Sequence, residues 1–224
     1  MGGEEVLALT VLRDKKGKRD ATRAFIPEAH KFAEHWESQG YRTRVVGIDN
    51  HANTCARRAE VINAVKSAQN LHHFAIFAHG WRTGIQMGFR IGHLRALARQ
   101  LDKVAASEKL IVTLYCCSTA QGEAGGDNGF ADELRDALCG VGLDYCRVDA
   151  HTNKGHTTRN PHVRRFEGQG SPFGGAGGAY IVPPRSKNWR PWRAALRTDL
   201  RFRFSQMTAA EVIEELHGAS RRYA

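Results

Sequence analysis

Apolar residues along this 224-residue chain fall into short, nearly continuous runs separated by stretches of helical spacing. Residues 5–12 form the first run and predict a strand buried on both faces. A charged loop covers 14–23. Pro27 and Glu28 open a helix through Trp36, and Gly40 closes it, the usual placement of Pro at the start and Gly just past the end. Residues 41–48, rich in β-branched side chains, predict a second strand. A helix is predicted over 53–68, with Ala56, Ala59, Val61, Ile62 and Val65 mostly on one face. A third strand follows at 71–78, and a glycine-punctuated edge strand or hairpin at 81–88. Next come a helix over 91–106 carrying Leu94, Leu97, Ala98 and Leu101, a strand at 110–116, a flexible loop at 122–129, a helix at 130–138 and a strand at 143–148.

Strand and helix thus alternate about five times in the first 150 residues, which predicts an α/β fold. The expected architecture is a three-layer sandwich, a mostly parallel central sheet with helices on both faces. The pattern changes after residue 150. Residues 151–178 are polar and glycine-rich with no period, and a segment of that length reads as a functional loop or a disordered one. Beyond it, the sequence predicts a strand at 179–182, a short helix at 188–196, a half-exposed strand at 200–204 and a helix at 208–217 opened by a Thr208/Glu211 capping box. The chain is read as one domain over 1–224, with 1–150 as the sheet core and 151–224 completing it.

Composition narrows the setting. Five cysteines, an odd number with no CxxC spacing, fit neither a disulfide framework nor a zinc site and point to a reducing compartment. No apolar run reaches the roughly 20 residues of a membrane span, and the first residues lack a signal-peptide profile. The expectation is a soluble cytoplasmic protein with no membrane partner. The net charge of +10 raises the question of nucleic acid. No helix-turn-helix, RNA-binding aromatic motif or zinc finger accompanies it, so a solvated basic surface is the preferred reading. Trp189 and Trp192, interleaved with Arg190 and Arg193, are read first as packing residues of a short helix.

The chemistry lies where two of the apolar strands end. Residues 71–78 deliver His79-Gly80, and residues 110–115 deliver Cys116-Cys117-Ser118-Thr119-Ala120. In parallel sheets the ligand site lies beyond the carboxyl ends of the strands, so the two segments can meet there. A cysteine attacks as thiolate, and a nearby imidazole can take the thiol proton and later protonate a leaving amine. The N–H groups of Gly80 and Cys117 are candidate oxyanion donors. Trp81, Cys116, Ser118, Asp149, His151 and His156 are candidate substrate contacts.

An apolar strand ending in His-Gly, then a helix, then an apolar strand ending in Cys resembles the caspase-like fold of clan CD cysteine peptidases. The spacing Cys117-x-Thr119-Ala120-x-Gly122 is similar to bacterial CHAT-type domains. The resemblance covers about residues 70–150 and implies that Cys117 is the nucleophile, His79 its partner and Gly80 an oxyanion glycine. It implies a cysteine endopeptidase acting on a protein or peptide, with no metal or other cofactor. Self-processing within 151–178 is an accompanying expectation, with Arg159, Arg164 and Arg165 as candidate cleavage points. Where caspases carry Gln-Ala before the cysteine, this chain has Tyr115-Cys116, so the P1 preference does not carry over. Asp127, Asp132 and Asp149 are acids without an assigned role.

Three other readings stand beside it. Ser118 in a degenerate nucleophile elbow would make a serine α/β-hydrolase, with Asp149 and one of His151, His156 or His162 completing a triad. The same four side chains other than Ser118 invite a zinc reading, though no helical i,i+4 pair supports it. A catalytically silent caspase-like module would use the basic surface to dock on a partner.

Overall fold

A computed structural model describes residues 3–12, 25–49, 53–154, 162–172 and 179–182. Its strands are β1 (Glu5–Val11), β2 (Arg42–Ile48), β3 (Leu71–Phe77), β4 (Gly80–Trp81), β5 (Gly84–Ile85), β6 (Ile111–Tyr115), β7 (Arg147–His151), β8 (Val163–Glu167) and β9 (Ala179–Val182). Its α-helices are α1 (Phe25–Glu37), α2 (Thr54–Lys66), α3 (Leu94–Asp102) and α4 (Phe130–Cys139). Seven strands form one sheet in the order β2-β1-β3-β6-β7-β8-β9, and β4 pairs with β5 as a separate antiparallel hairpin. In the sheet only β8 runs against the others.

The order explains the layers. The chain first steps outward from β1 to β2, then reverses, crossing β1 to reach β3, and continues through β6 to β7. Right-handed crossovers place a helix on opposite faces when the direction of travel reverses. So α1 covers one face, and α2, α3 and α4 pack side by side on the other. Every residue of β1 is buried, the apolar ones together with Glu5 and Thr10. α1 buries Phe25, Ala29, Phe32, Ala33 and Trp36 at helical spacing, and the Phe32 ring meets His73, Phe77 and Tyr115 edge-on. α2 is capped by Asn53, whose side-chain oxygen accepts the Ala56 N–H at 2.9 Å. Among the described residues no helix is long and apolar enough to cross a membrane.

Three elements depart from the sequence reading. The helix expected to 106 ends at Asp102, because Val104 and Ala106 exchange backbone hydrogen bonds with Leu71 at the start of β3 instead. The strand expected at 143–148 is β7 at 147–151. Leu143 is consumed in closing α4, its N–H donating to the Leu138 carbonyl, and Cys146 turns back onto Leu143. The featureless segment at 151–178 contains β8, in which Val163, Arg165 and Phe166 are buried.

β8 escapes an apolar count because its centre is an arginine. Arg165 stands directly opposite Asp149 in the β7–β8 register and grips both carboxylate oxygens, at 2.7 and 3.1 Å. The same sheet face carries Thr113, opposite Asp149 on β6, whose hydroxyl lies 2.7 Å from His73 Nε2. Burial, with Arg147 and two further histidines adding to it, drives the His73 pKa well below its usual value, so this ring is neutral. The expected cleavage points Arg164 and Arg165 lie in strand β8, Arg165 buried and paired with Asp149 and Arg164 part-buried. Arg159, and the elements expected at 188–196, 200–204 and 208–217, lie outside the described residues.

The pair has a measurable consequence. Arg165→Met leaves Asp149 buried without its main partner, and a broken buried pair costs about 3 kcal/mol or more. The expected result is a clear drop in the urea midpoint, with part of the loss recovered by adding Asp149→Leu.

Candidate active site

β3 and β6 pair in parallel, and their last register pair is Phe77 opposite Tyr115. His79 lies two residues past the first and Cys117 two past the second, so the two side chains leave the sheet at the same height. Neighbouring strands are about 4.8 Å apart, which sets the scale of their separation at the ladder's end. Beneath them the Phe77 and Tyr115 rings stack at 4.4 Å, giving the site an apolar floor. The His79 ring meets the edge of Phe25 at 5.0 Å, at the start of α1.

The two loops touch. A Cβ on Gly80 would stand 2.8 Å from Cys116 Cβ, 2.8 Å from Thr119 Cγ2 and 2.9 Å from the Cys117 carbonyl oxygen. Only glycine permits this approach, so residue 80 is the point at which the histidine loop seats on the cysteine turn. That turn is braced on three sides. The Ser118 and Ala120 N–H groups donate to the Asn153 and His151 carbonyls at and just past the end of β7. Arg164 of β8 donates to the Ala120 carbonyl at 3.0 Å. α4 binds both loops at once: its first N–H, from Phe130, donates to the Arg82 carbonyl at 2.7 Å, and the next, from Ala131, to the Thr119 carbonyl at 2.9 Å. Helix N-termini always leave such donors to be satisfied, and here they staple the histidine side of the site to the cysteine side.

The adjacent sulfurs have opposite surroundings. Cys116 is fully buried, its thiol reaches the Ile76 carbonyl at 3.6 Å, and burial pushes its pKa far up. Cys117 is partly exposed. Of the two, Cys117 is the one that a substrate can approach. Ser118 follows at φ 59°, in the left-handed region, with its hydroxyl buried.

The other expected contacts divide plainly. Trp81 is 41% exposed and stands at the lip of the hairpin. Cys116 and Ser118 are interior, so neither faces a substrate. Asp149 is fully buried and held by Arg165, and His151 is fully buried with its carbonyl bracing the turn. The Ser118–Asp149–His151 triad has no exposed nucleophile for the same reason. His156 lies outside the described residues, whereas His162 is exposed. Among the described residues no group of three or more His, Cys, Asp or Glu side chains is gathered for a metal. The loop at 122–129 folds into a hydrogen-bonded turn, with Glu123 N–H on the Asp127 carbonyl and Asn128 N–H on Asp132.

One residue at the site escaped the sequence reading. Gln86 is buried in the hairpin and holds the main chain of His79 from both sides. Its N–H donates to the His79 carbonyl at 2.9 Å, and its side-chain oxygen accepts the His79 N–H at 3.2 Å. Arg57 of α2 donates in turn to the Gln86 carbonyl at 2.5 Å. The signal was a single amide inside an otherwise apolar buried stretch from Gly84 to Phe89. No protein-family model matches the chain, and no curated protein matches its sequence.

Two expectations follow from this geometry. Gly80→Ala forces the histidine loop off the cysteine turn and should cost about 1–3 kcal/mol, the usual penalty of overpacking, seen as a lower urea midpoint. The second concerns pH. Burial raises the Asp132 carboxyl to about 6, against the pull of Arg135 at 2.6 Å. The folded protein thus holds this proton up to about pH 6, while the unfolded chain releases it near the ordinary carboxyl value of 3.8. Asp132 accordingly favours folding most below pH 4 and progressively less as pH rises through 6. Urea midpoints of wild type and Asp132→Asn between pH 4 and 7 should diverge in slope, with this fall missing from the variant.

Proposed function

We propose that the protein is a cysteine endopeptidase of caspase-like architecture, with Cys117 as nucleophile and His79 as its acid–base partner. The observation that carries this reading is the seating of Gly80 on the turn that presents Cys117, at the end of two paired parallel strands. A histidine ending one strand, a half-open cysteine ending its neighbour and backbone from both loops in contact make up the set that acyl transfer from a peptide needs.

In this mechanism the Cys117 sulfur, as thiolate, attacks the scissile carbonyl carbon. The carbonyl oxygen takes up the negative charge and is held by the N–H groups of Gly80 and Cys117. The C–N bond then breaks, and the imidazolium of His79 gives its proton to the departing amine. Water, losing a proton to the same ring, cleaves the thioester and returns the thiol. The substrate is a protein or peptide chain lying in extended form across the strand ends.

The test uses a mixture of peptidyl acyloxymethyl ketones varied at P1. A Cys55→Ser background removes the exposed thiol of Cys55; Cys116, Cys139 and Cys146 are buried. One equivalent of label at Cys117 is expected, abolished by Cys117→Ala. His79→Ala should slow labelling about a hundredfold or more, the scale of a lost acid–base group. Ser118→Gly relieves the left-handed strain and should keep labelling intact, whereas a serine nucleophile would be lost with it. Labelling of Cys117 no faster than an ordinary free thiol would remove the peptidase reading and leave the silent binding module.

A further inference from the structure

We infer that Gln86 is the positioning residue for His79, a role that rests on the peptidase reading above. The sheet ladder cannot perform it. Pairing between β3 and β6 stops at Phe77 and Tyr115, and the hairpin pairing begins only at Gly80 opposite Ile85. His79 stands between the two ladders, reached by one further backbone bond in the hairpin's register, from Gln86, and with its own N–H left for the Gln86 side chain.

Gln86 holds His79 there with both of its polar arms. The main-chain N–H takes the His79 carbonyl, and the side-chain amide oxygen takes the His79 N–H, so the two residues form a closed ring of two hydrogen bonds. The ring fixes the direction in which Cα–Cβ of His79 leaves the chain. Phe25, edge-on to the imidazole at 5.0 Å, then limits its rotation. Gln86 is itself held from α2, since Arg57 donates to its carbonyl and Arg58 donates to the Gly88 carbonyl two residues on, at 2.8 Å. With an 8% exposed side chain, Gln86 does not face the substrate. Its effect on catalysis passes through the aim of the imidazole at Cys117.

Misaiming a catalytic group by about 1 Å costs on the order of a hundredfold. Gln86→Met keeps the side-chain volume and the backbone N–H but removes the acceptor for His79 N–H. Gln86→Glu keeps an acceptor oxygen at the same reach. Both are made in the Cys55→Ser background, and the rate of Cys117 labelling by the peptidyl ketone mixture is followed from pH 5 to 9. The rate is expressed per titratable site, with urea midpoints measured alongside.

The expected result is a tenfold or greater fall in the per-site rate for Gln86→Met, with a displaced pH profile, and substantial recovery in Gln86→Glu. A merely structural role would lower the urea midpoint and the fraction of titratable sites, leaving per-site rate and profile as in wild type. That result overturns the inference and leaves the peptidase reading standing. If wild type itself shows no histidine-dependent labelling of Cys117, the peptidase reading fails and takes this inference with it.

Discussion

The parallel pairing of β3 with β6 sets the height at which His79 and Cys117 leave the sheet, and nearly everything around them serves that alignment. The strands are only seven and five residues long, and their backbones fix register without help from the residues that follow. Past the ladder, separate devices take over. Gln86 fixes the histidine backbone, the carbonyls at and just past the end of β7 and Arg164 of β8 fix the cysteine turn, and the first N–H groups of α4 tie the two together. Gly80 is the one place where the loops must interpenetrate, so a single hydrogen in place of a methyl group decides whether they seat.

The positive charge has a different meaning once side chains are placed. Arg42 and Arg44 hold Glu5, Arg57 and Arg58 hold hairpin carbonyls, Arg135 holds Asp132 and Asp136, and Arg165 holds Asp149. Guanidinium groups suit this work because they stay charged and offer several donors in a fixed plane. Among the described residues these six arginines brace the fold through acids or main-chain carbonyls, Arg135 and Arg165 from buried positions and the others from nearer the surface.

What the sequence made legible follows the same division. Strands whose burial is apolar, such as 71–77 and 111–115, could be read directly, and so could the residues just past them, because a strand's end is marked by its own composition. β7 was read only with shifted bounds and β8 not at all, since their buried positions include Asp149, His151 and Arg165, which look like surface until the two strands lie side by side. The choice of Cys117 over Cys116 rested on motif spacing, and burial of Cys116 now supplies an independent physical reason. Asp149 and His151 looked like site residues because loop-flanking acids and histidines often are. Their burial could not be inferred from a segment whose partner strand was unrecognised.

The crossover that joins the two site-bearing strands has one more property. Between α3 and β6 the chain turns at the sheet's opposite edge, where Ser107, Glu108 and Lys109 are exposed and 104–106 are pinned to Leu71. The alignment of His79 with Cys117 is carried by strand pairing and by contacts at the far edge, and none passes through that turn. It is therefore the natural splice point for a fused domain or reporter, since inserted chain there would lengthen the connection without entering the registry of the two strand ends.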